Sequence, residues 1–460
     1  MLCAVDDRPL VSVPVVILSA DRQGGCTCEN ISGLRWGSFN LEFAALHAPK
    51  PQLLISADDA SRTMTGRGFP ELREHYRLLG FESRVAHESL LHFPHNYNYV
   101  SRTKMYHFLN QYLQLGLEEP ILERDYELLS KEDLTVWDEQ HPSPPQESDV
   151  DHRLLEWFAE DAKRQLEALT PETSEQMQTY RDVVGKAWSV ILRKLPSHIR
   201  PEWEALDVER HDGYLKTRGV LCYQTFNGHR ARLPVVRLEP LASVQRTGRA
   251  LIWFDGGGKD CLYQGSGTLH PEALRALQDG HAVISADLLL QGDHPGDEPP
   301  PQRQRHLTGE EAFAGWTYCY NLPLFAQRAY DVMAVIKWAE GSDAGLSDFG
   351  VLGTGTAGPM VGAAIALIDS PKLQRVSIQT NGFRFEQIED VYDVNFLPGA
   401  VKYGDLPGLL ALAAPRALQI SGESADSLKL VHAAYRAEGK PSQLHFGDGN
   451  AGAAISWVLP

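Results

Sequence analysis

Cysteine is scarce, with six in 460 residues, too few for a disulfide scaffold. Cys26 and Cys28 form a C-x-C with no second cysteine pair at zinc spacing, so neither a metal nor a cofactor is expected. Positive charge is also short. Lys and Arg number 43 against 60 Asp and Glu, a formal net charge of −17. Phosphate binding needs a basic surface, so nucleic acid and anionic membranes are excluded as expected partners. No apolar run approaches the ~20 residues of a membrane span. The opening MLCAVDDRPLVSVPVVILSA puts acids, not a basic segment, ahead of its apolar stretch. No signal peptide is therefore expected, and as given the chain reads as cytoplasmic. What is present is ordinary globular material, 43% hydrophobic and 22% charged, long enough for two or three domains of ~150 residues.

One stretch organises the rest. Apolar Phe349 to Leu352 runs into a Gly-rich turn, GVLGTGTAGP (Gly350 to Pro359), and then into a small-residue helix, MVGAAIALI (Met360 to Ile368). This is the strand–turn–helix setting of a nucleophile elbow, in which G-x-S-x-G raises a serine above an α/β-hydrolase sheet. In that frame Gly353 is the first glycine, Gly355 stands where serine belongs, and Ala357 takes the last small position. The alternative is a plain β–α turn of a parallel sheet. Nowhere in the chain does a full G-x-S-x-G occur.

The first 145 residues read as strand, helix, strand and helix. Val11 to Leu18 is β-branched and apolar, the pattern of a buried parallel strand, although Pro14 weakens its first half. If paired on one side only, it would expose an edge favouring self-association. The loop GGCTCEN (Gly24 to Asn30) and a helix-like LEFAALHAP follow. A second strand, Gln52 to Ala57, ends in Asp58-Asp59. Phe69 to Leu79 reads as an amphipathic helix through Leu72, Tyr76 and Leu79, and Ser83 to His87 as a short strand. HFPHNYNYVSR then leads into a helix, Thr103 to Leu115, capped by Gly116. An acid after one strand and a histidine after the next is the order in which an α/β-hydrolase completes its triad. Asp59 (or Asp58) would be the acid and His95 the base. Equally, the acids could form a solvated turn, and His95 could be one of three structural histidines with His87 and His92.

The segments GGCTCEN, ADDASRTMTGRGFPEL, HFPHNYNYVSRT and ERDYELLSKEDLTVWDEQHPSP resemble the C-terminal half of the catalytic domain of bacterial acetylxylan-esterase-like α/β hydrolases. The resemblance is most specific between Gly24 and Pro144. It implies ester hydrolysis through an acyl-serine, with acetylated polysaccharide or a small ester as substrate, and members that are often exported. It also implies a G-x-S-G-G elbow on an earlier strand. On this reading the chain is N-terminally truncated, Asp59 and His95 are its matched catalytic pair, and their serine partner is absent.

HPSPPQESD (His141 to Asp149) has linker composition. Asp151 to Leu169 and Glu172 to Leu195 have helical spacing. The expected division is 1–145, C-terminal half of a first α/β-hydrolase domain; 146–200, helical connector; and 201–460, a second, degenerate α/β-hydrolase domain. The fold class is thus α/β, with two hydrolase-type units of mostly parallel sheet flanked by helices, the first incomplete. In the second unit, Leu215 to Thr225 and Arg232 to Glu239 suggest an antiparallel start. Ala250 to Phe254 is a strand ending in DGGGK (Asp255 to Lys259), which resembles an HGGG-type oxyanion loop with Asp in place of His. Pro271 to Leu277 and Leu322 to Ala339 read as helices, His281 to Asp287 and Arg375 to Thr380 as strands, and QGDHPGDEPPP as a loop.

ALAAPRALQIS (Ala411 to Ser421) repeats ALHAPKPQLLIS (Ala45 to Ser56) with one residue deleted, an internal repeat indicating two copies of one fold. Its triad positions are then Gly355, Asp426 in GESAD, and Asn450 in HFGDGNAGAAISWV. His445 falls inside a strand. Ser424 of GESAD could imitate an elbow, but it lacks the closing small residue. Two of three chemistries are missing, so copy two is expected to be inactive. The alternative function is a non-catalytic pseudo-hydrolase serving carbohydrate binding or domain packing.

Overall fold

The computed structural model describes residues 2–21, 30–144, 149–265, 267–293, 299–308, 313–341 and 344–459. Cys26, Cys28 and most of GGCTCEN lie outside these residues, as do parts of the 141–149 linker and of the 291–301 loop. Contacts divide the chain into two compact units, Met1–Ser148 and Asp149–Pro460.

The first unit holds two parallel strands, β1 (Gln52–Ser56) and β2 (Val85–Ser89), with Gln52 opposite Val85 and Ser56 opposite Ser89. Every residue of β1 is buried. The connecting helix Phe69–Leu78 buries Leu72 and Tyr76 against Leu54, Met64 and Val85. The expected strand Val11 to Leu18 is corrected. Only isolated bridges join Ser12 to Gln52 and Val15 to Ile55. Pro14 has no amide to donate, and Val16 sits at φ +46, which breaks an extended run. The helix that follows β2 is Tyr99–Leu113, and its left-handed cap is Gln114 rather than Gly116.

Among the described residues the second unit is built on nine strands: β3 (Glu202–Arg210), β4 (Tyr214–Gln224), β5 (Arg230–Pro240), β6 (Arg249–Asp255), β7 (Ala282–Ala286), β8 (Asp348–Thr354), β9 (Leu373–Gln379), β10 (Ala417–Ser421) and β11 (Leu444–Gly447). Their spatial order is β11-β10-β9-β8-β6-β7-β5-β4-β3. The pairs from β11 across to β7 are parallel, and those from β7 to β3 are antiparallel. Strand β3 extends the expected antiparallel start; its charged alternation, EWEALDVER, gave no apolar face to read. The central strands β6 and β8 are buried almost throughout.

Helices cover both faces. A Cβ on Gly350 would lie 2.1 Å from Val458 in the helix Ala451–Val458, and one on Gly353 would lie 2.9 Å from Val361 in the helix Gly358–Leu367. Alternate β8 residues face opposite sides, so the two glycines let helices close on both. The helices Gly358–Leu367 and Leu324–Glu340 pack together and are buried nearly all round. The segment expected as a connector packs within this unit: Tyr180 donates to the Gly408 carbonyl (2.8 Å) and Trp188 to that of Tyr403 (3.1 Å). The fold is therefore α/β, with a large, mostly parallel sheet between helices. Its elbow turn, second acid loop and last-strand loop follow one another in α/β-hydrolase order.

The internal repeat is visible in side chains. In the first unit Tyr76 donates to the carbonyl of Lys50 (2.8 Å), just before β1. In the second, Tyr435 of the helix Lys429–Ala437 donates to that of Arg416 (2.6 Å), just before β10. Each helix is followed by a 3₁₀ turn and a parallel strand. The helix after each of these strands is capped by an asparagine, Asn98 or Asn450.

Candidate active site

In the first unit two loops leave the C-terminal ends of adjacent parallel strands. The turn after β1 places Asp59 at the N-cap of the 3₁₀ turn Ala60–Arg62. The loop after β2 is laced back to it: Leu90 N–H donates to the Ser56 carbonyl (2.9 Å), and Asp58 N–H to that of Phe93 (2.8 Å). This brings His95 Nδ1 within 2.5 Å of Asp59 Oδ2. The Asp59 side chain is 17% exposed and that of His95 67%. A carboxylate at Nδ1 favours the tautomer that carries its proton there, in which Nε2 is the acceptor nitrogen of a largely exposed ring.

The neighbouring acid and histidines have other partners. Asp58 points outward and pairs with Arg62 (3.2 Å). His87 bonds Ser56 Oγ through Nε2 (2.8 Å) and lies against Phe69. His92 packs at a tilt against Phe93. The second Asp59 oxygen accepts both the N–H (2.8 Å) and the hydroxyl (2.5 Å) of Ser61. Burial pushes the Asp59 carboxyl up, but the bonds from Ser61 and His95 more than offset it and hold it below the usual range.

In the second unit Gly355 stands in the turn after β8. Gly355 has φ +56, opens the turn Gly355–Ala357 between β8 and its helix, and donates its N–H to Gln379 Oε1 (3.2 Å). Asp255, at the end of β6, crowds the position. It accepts from Thr354 Oγ1 (2.6 Å) and Gly257 N–H (2.8 Å), and its Oδ2 lies 3.3 Å from where a Cβ on Gly355 would stand. A carboxylate thus occupies the neighbourhood in which an oxyanion would develop. The glycines of DGGGK have another use. Gly258, at φ +79, leaves room for buried Asp287 (a Cβ there would come 2.3 Å from its Oδ1). Lys259 pairs with Asp287 and Asp293, each at 2.5 Å.

Two further expectations change. Asp426 is 91% exposed at its side chain and meets only Lys429, at 3.6 Å. The acid anchored at this strand end is Glu423, 2% exposed, held by Arg384 (2.8 and 2.9 Å), Thr380 (2.7 Å) and Ser427 (2.6 Å). Sequence reasoning passed over Glu423, although it follows Ser421 in the repeat as Asp58 follows Ser56. Asn450 is a helix cap, accepting from Ala453 N–H (2.9 Å), and so matches Asn98 rather than His95. Residues 90–97 separate β2 from its cap, but only 448–449 separate β11 from its own. The loop after β11 is therefore much shorter than the loop after β2. His445 rests on Trp457, and Ser424 Oγ accepts from Ser427 N–H. Among the described residues no group of three or more His, Cys, Asp or Glu could hold a metal, and no helix is long and apolar enough to cross a membrane.

No protein-family model and no curated protein matches the chain. Several solved structures align with the chain at low identity. One is titled a putative acetyl xylan esterase from Bacteroides fragilis NCTC 9343 (15% identity, TM-score 0.42, 62% of this chain and 80% of that one). Another is a CE15 esterase from a marine bacterial metagenome (15%, 0.39, 60% and 88%). A third is acetyl xylan esterase 1 from Thermoanaerobacterium sp. JW/SL YS485 (15%, 0.33, 62% and 90%).

Proposed function

We propose that this chain is part of a serine-dependent carboxylic-ester hydrolase, in which Asp59 orients and His95 acts as general base. The observation that carries the reading is the Nδ1–Oδ2 bond formed across the C-terminal ends of two adjacent parallel strands. In such a site His95 Nε2 takes the serine proton as the hydroxyl attacks the acyl carbon, then returns it to the departing alkoxide. A second cycle, with water as nucleophile, frees the acid and the serine. The substrate class, acetylated polysaccharide or a small acetyl ester, follows from the resemblance of residues 24–144. The 149–460 unit is a hydrolase-like domain with no triad of its own.

The serine must come from a G-x-S-x-G turn, which this sequence does not contain. The test begins with the DNA upstream of the Met1 codon, read in frame. The longest product is then expressed and exposed to a fluorophosphonate and to p-nitrophenyl acetate. The expected result is one labelled elbow serine, with kcat falling by about 10³-fold or more in His95→Asn. A product without an elbow serine, or hydrolysis undiminished by His95→Asn, refutes the proposal.

A further inference from the structure

An aspartate at a strand end is ordinarily free to turn between rotamers. Asp59 is not. Two residues on, buried Ser61 gives both of its donors to the same oxygen, Oδ1: the amide at 2.8 Å and the hydroxyl at 2.5 Å. The hydroxyl has only one proton, and its direction is set because its oxygen also accepts the Ala57 amide (3.1 Å). The chain is thus bonded back on itself from Ala57 through Ser61 to Asp59. With Oδ1 held, Oδ2 is the oxygen presented to His95.

We infer that Ser61 is a positioning residue for the Asp59–His95 pair, fixing the carboxylate so that it selects the Nδ1–H form of the imidazole. Its catalytic meaning rests on the hydrolase reading; its physical claim does not. Removing the hydroxyl leaves Oδ1 with the Ser61 amide alone and withdraws one of the bonds that keep Asp59 ionised against its burial.

The test uses the 460-residue chain, ¹⁵N-labelled at histidine, at about pH 8, above the usual imidazole range. Two-bond ¹H–¹⁵N spectra identify which ring nitrogen of His95 carries the proton, with His95→Asn assigning the signals. The wild type is expected to show Nδ1–H, and Asp59→Asn to lose it. Ser61→Ala is expected to lose or broaden it, and to change nothing further in the Asp59→Asn background. If the alanine variant fails to fold, Ser61→Cys, close in shape but a weak donor, carries the same expectation. An unchanged His95 signal in the Ser61 variant overturns the inference. So does an equal change in both backgrounds, which would mark a merely structural role. No ester or nucleophile enters the experiment, so its result is independent of whether the chain belongs to a working hydrolase.

Discussion

Replacing Gly355 by serine restores the missing letter of the elbow and tests whether the second unit lacks more than that. The backbone there is already left-handed, φ +56, so a side chain costs about 1–2 kcal/mol. In a domain of this size that lowers Tm by about 2–4 °C per kcal/mol. The larger obstacle is chemical. The new Cβ would stand 3.3 Å from Asp255 Oδ2. An oxyanion ~4 Å from that carboxylate would be opposed by ~4 kcal/mol at an effective dielectric constant of 20, about a thousandfold in rate. No base compensates, since Asn450 is committed to its helix. The variant should therefore fold, melt slightly earlier, and give neither fluorophosphonate labelling nor a p-nitrophenyl acetate burst above the unmodified chain. A labelled Ser at 355 would refute both the reading of Asp255 and the assignment of Asn450.

Arg384→Met strands the Glu423 carboxylate and should cost about 3–5 kcal/mol at pH 7, measured by urea unfolding. Burial alone would raise Glu423; Arg384, Ser427 and Thr380 hold it below the usual range. Its stabilisation is therefore present above the unfolded value of about 4.3 and lost as pH falls through the folded one, so the deficit should narrow at pH 4; an equal deficit at both pH values would contradict this. Tyr76→Phe and Tyr435→Phe each remove one equivalent bond, to Lys50 and Arg416. Each should cost about 1 kcal/mol, and a large inequality in unfolding measurements would argue against the two sites being structural counterparts.

Much of the architecture was legible because it is local. Buried runs such as Ala250 to Phe254 and the apolar helix after Gly355 stand out in the sequence as continuous apolar stretches bounded by turn residues, and ALHAPKPQLLIS repeating as ALAAPRALQIS disclosed two copies of one pattern. The candidate acid and base were legible as types, an acid after one strand and a histidine after the next. Their identity was not. Asp58 and Asp59 are neighbours of equal chemistry, separated only by which one the Phe93 loop and Ser61 draw inward. The same limit explains the errors. Val11 to Leu18 looks like a strand until Val16 turns left-handed. Asn450 looks like a degenerate base until the short loop after β11 makes it a cap. Periodicity and residue type are properties of neighbours along the chain and are fixed by the sequence alone. Pairing, burial of a charge and the choice of one acid among several depend on residues dozens of positions away, and only the tertiary structure decides them.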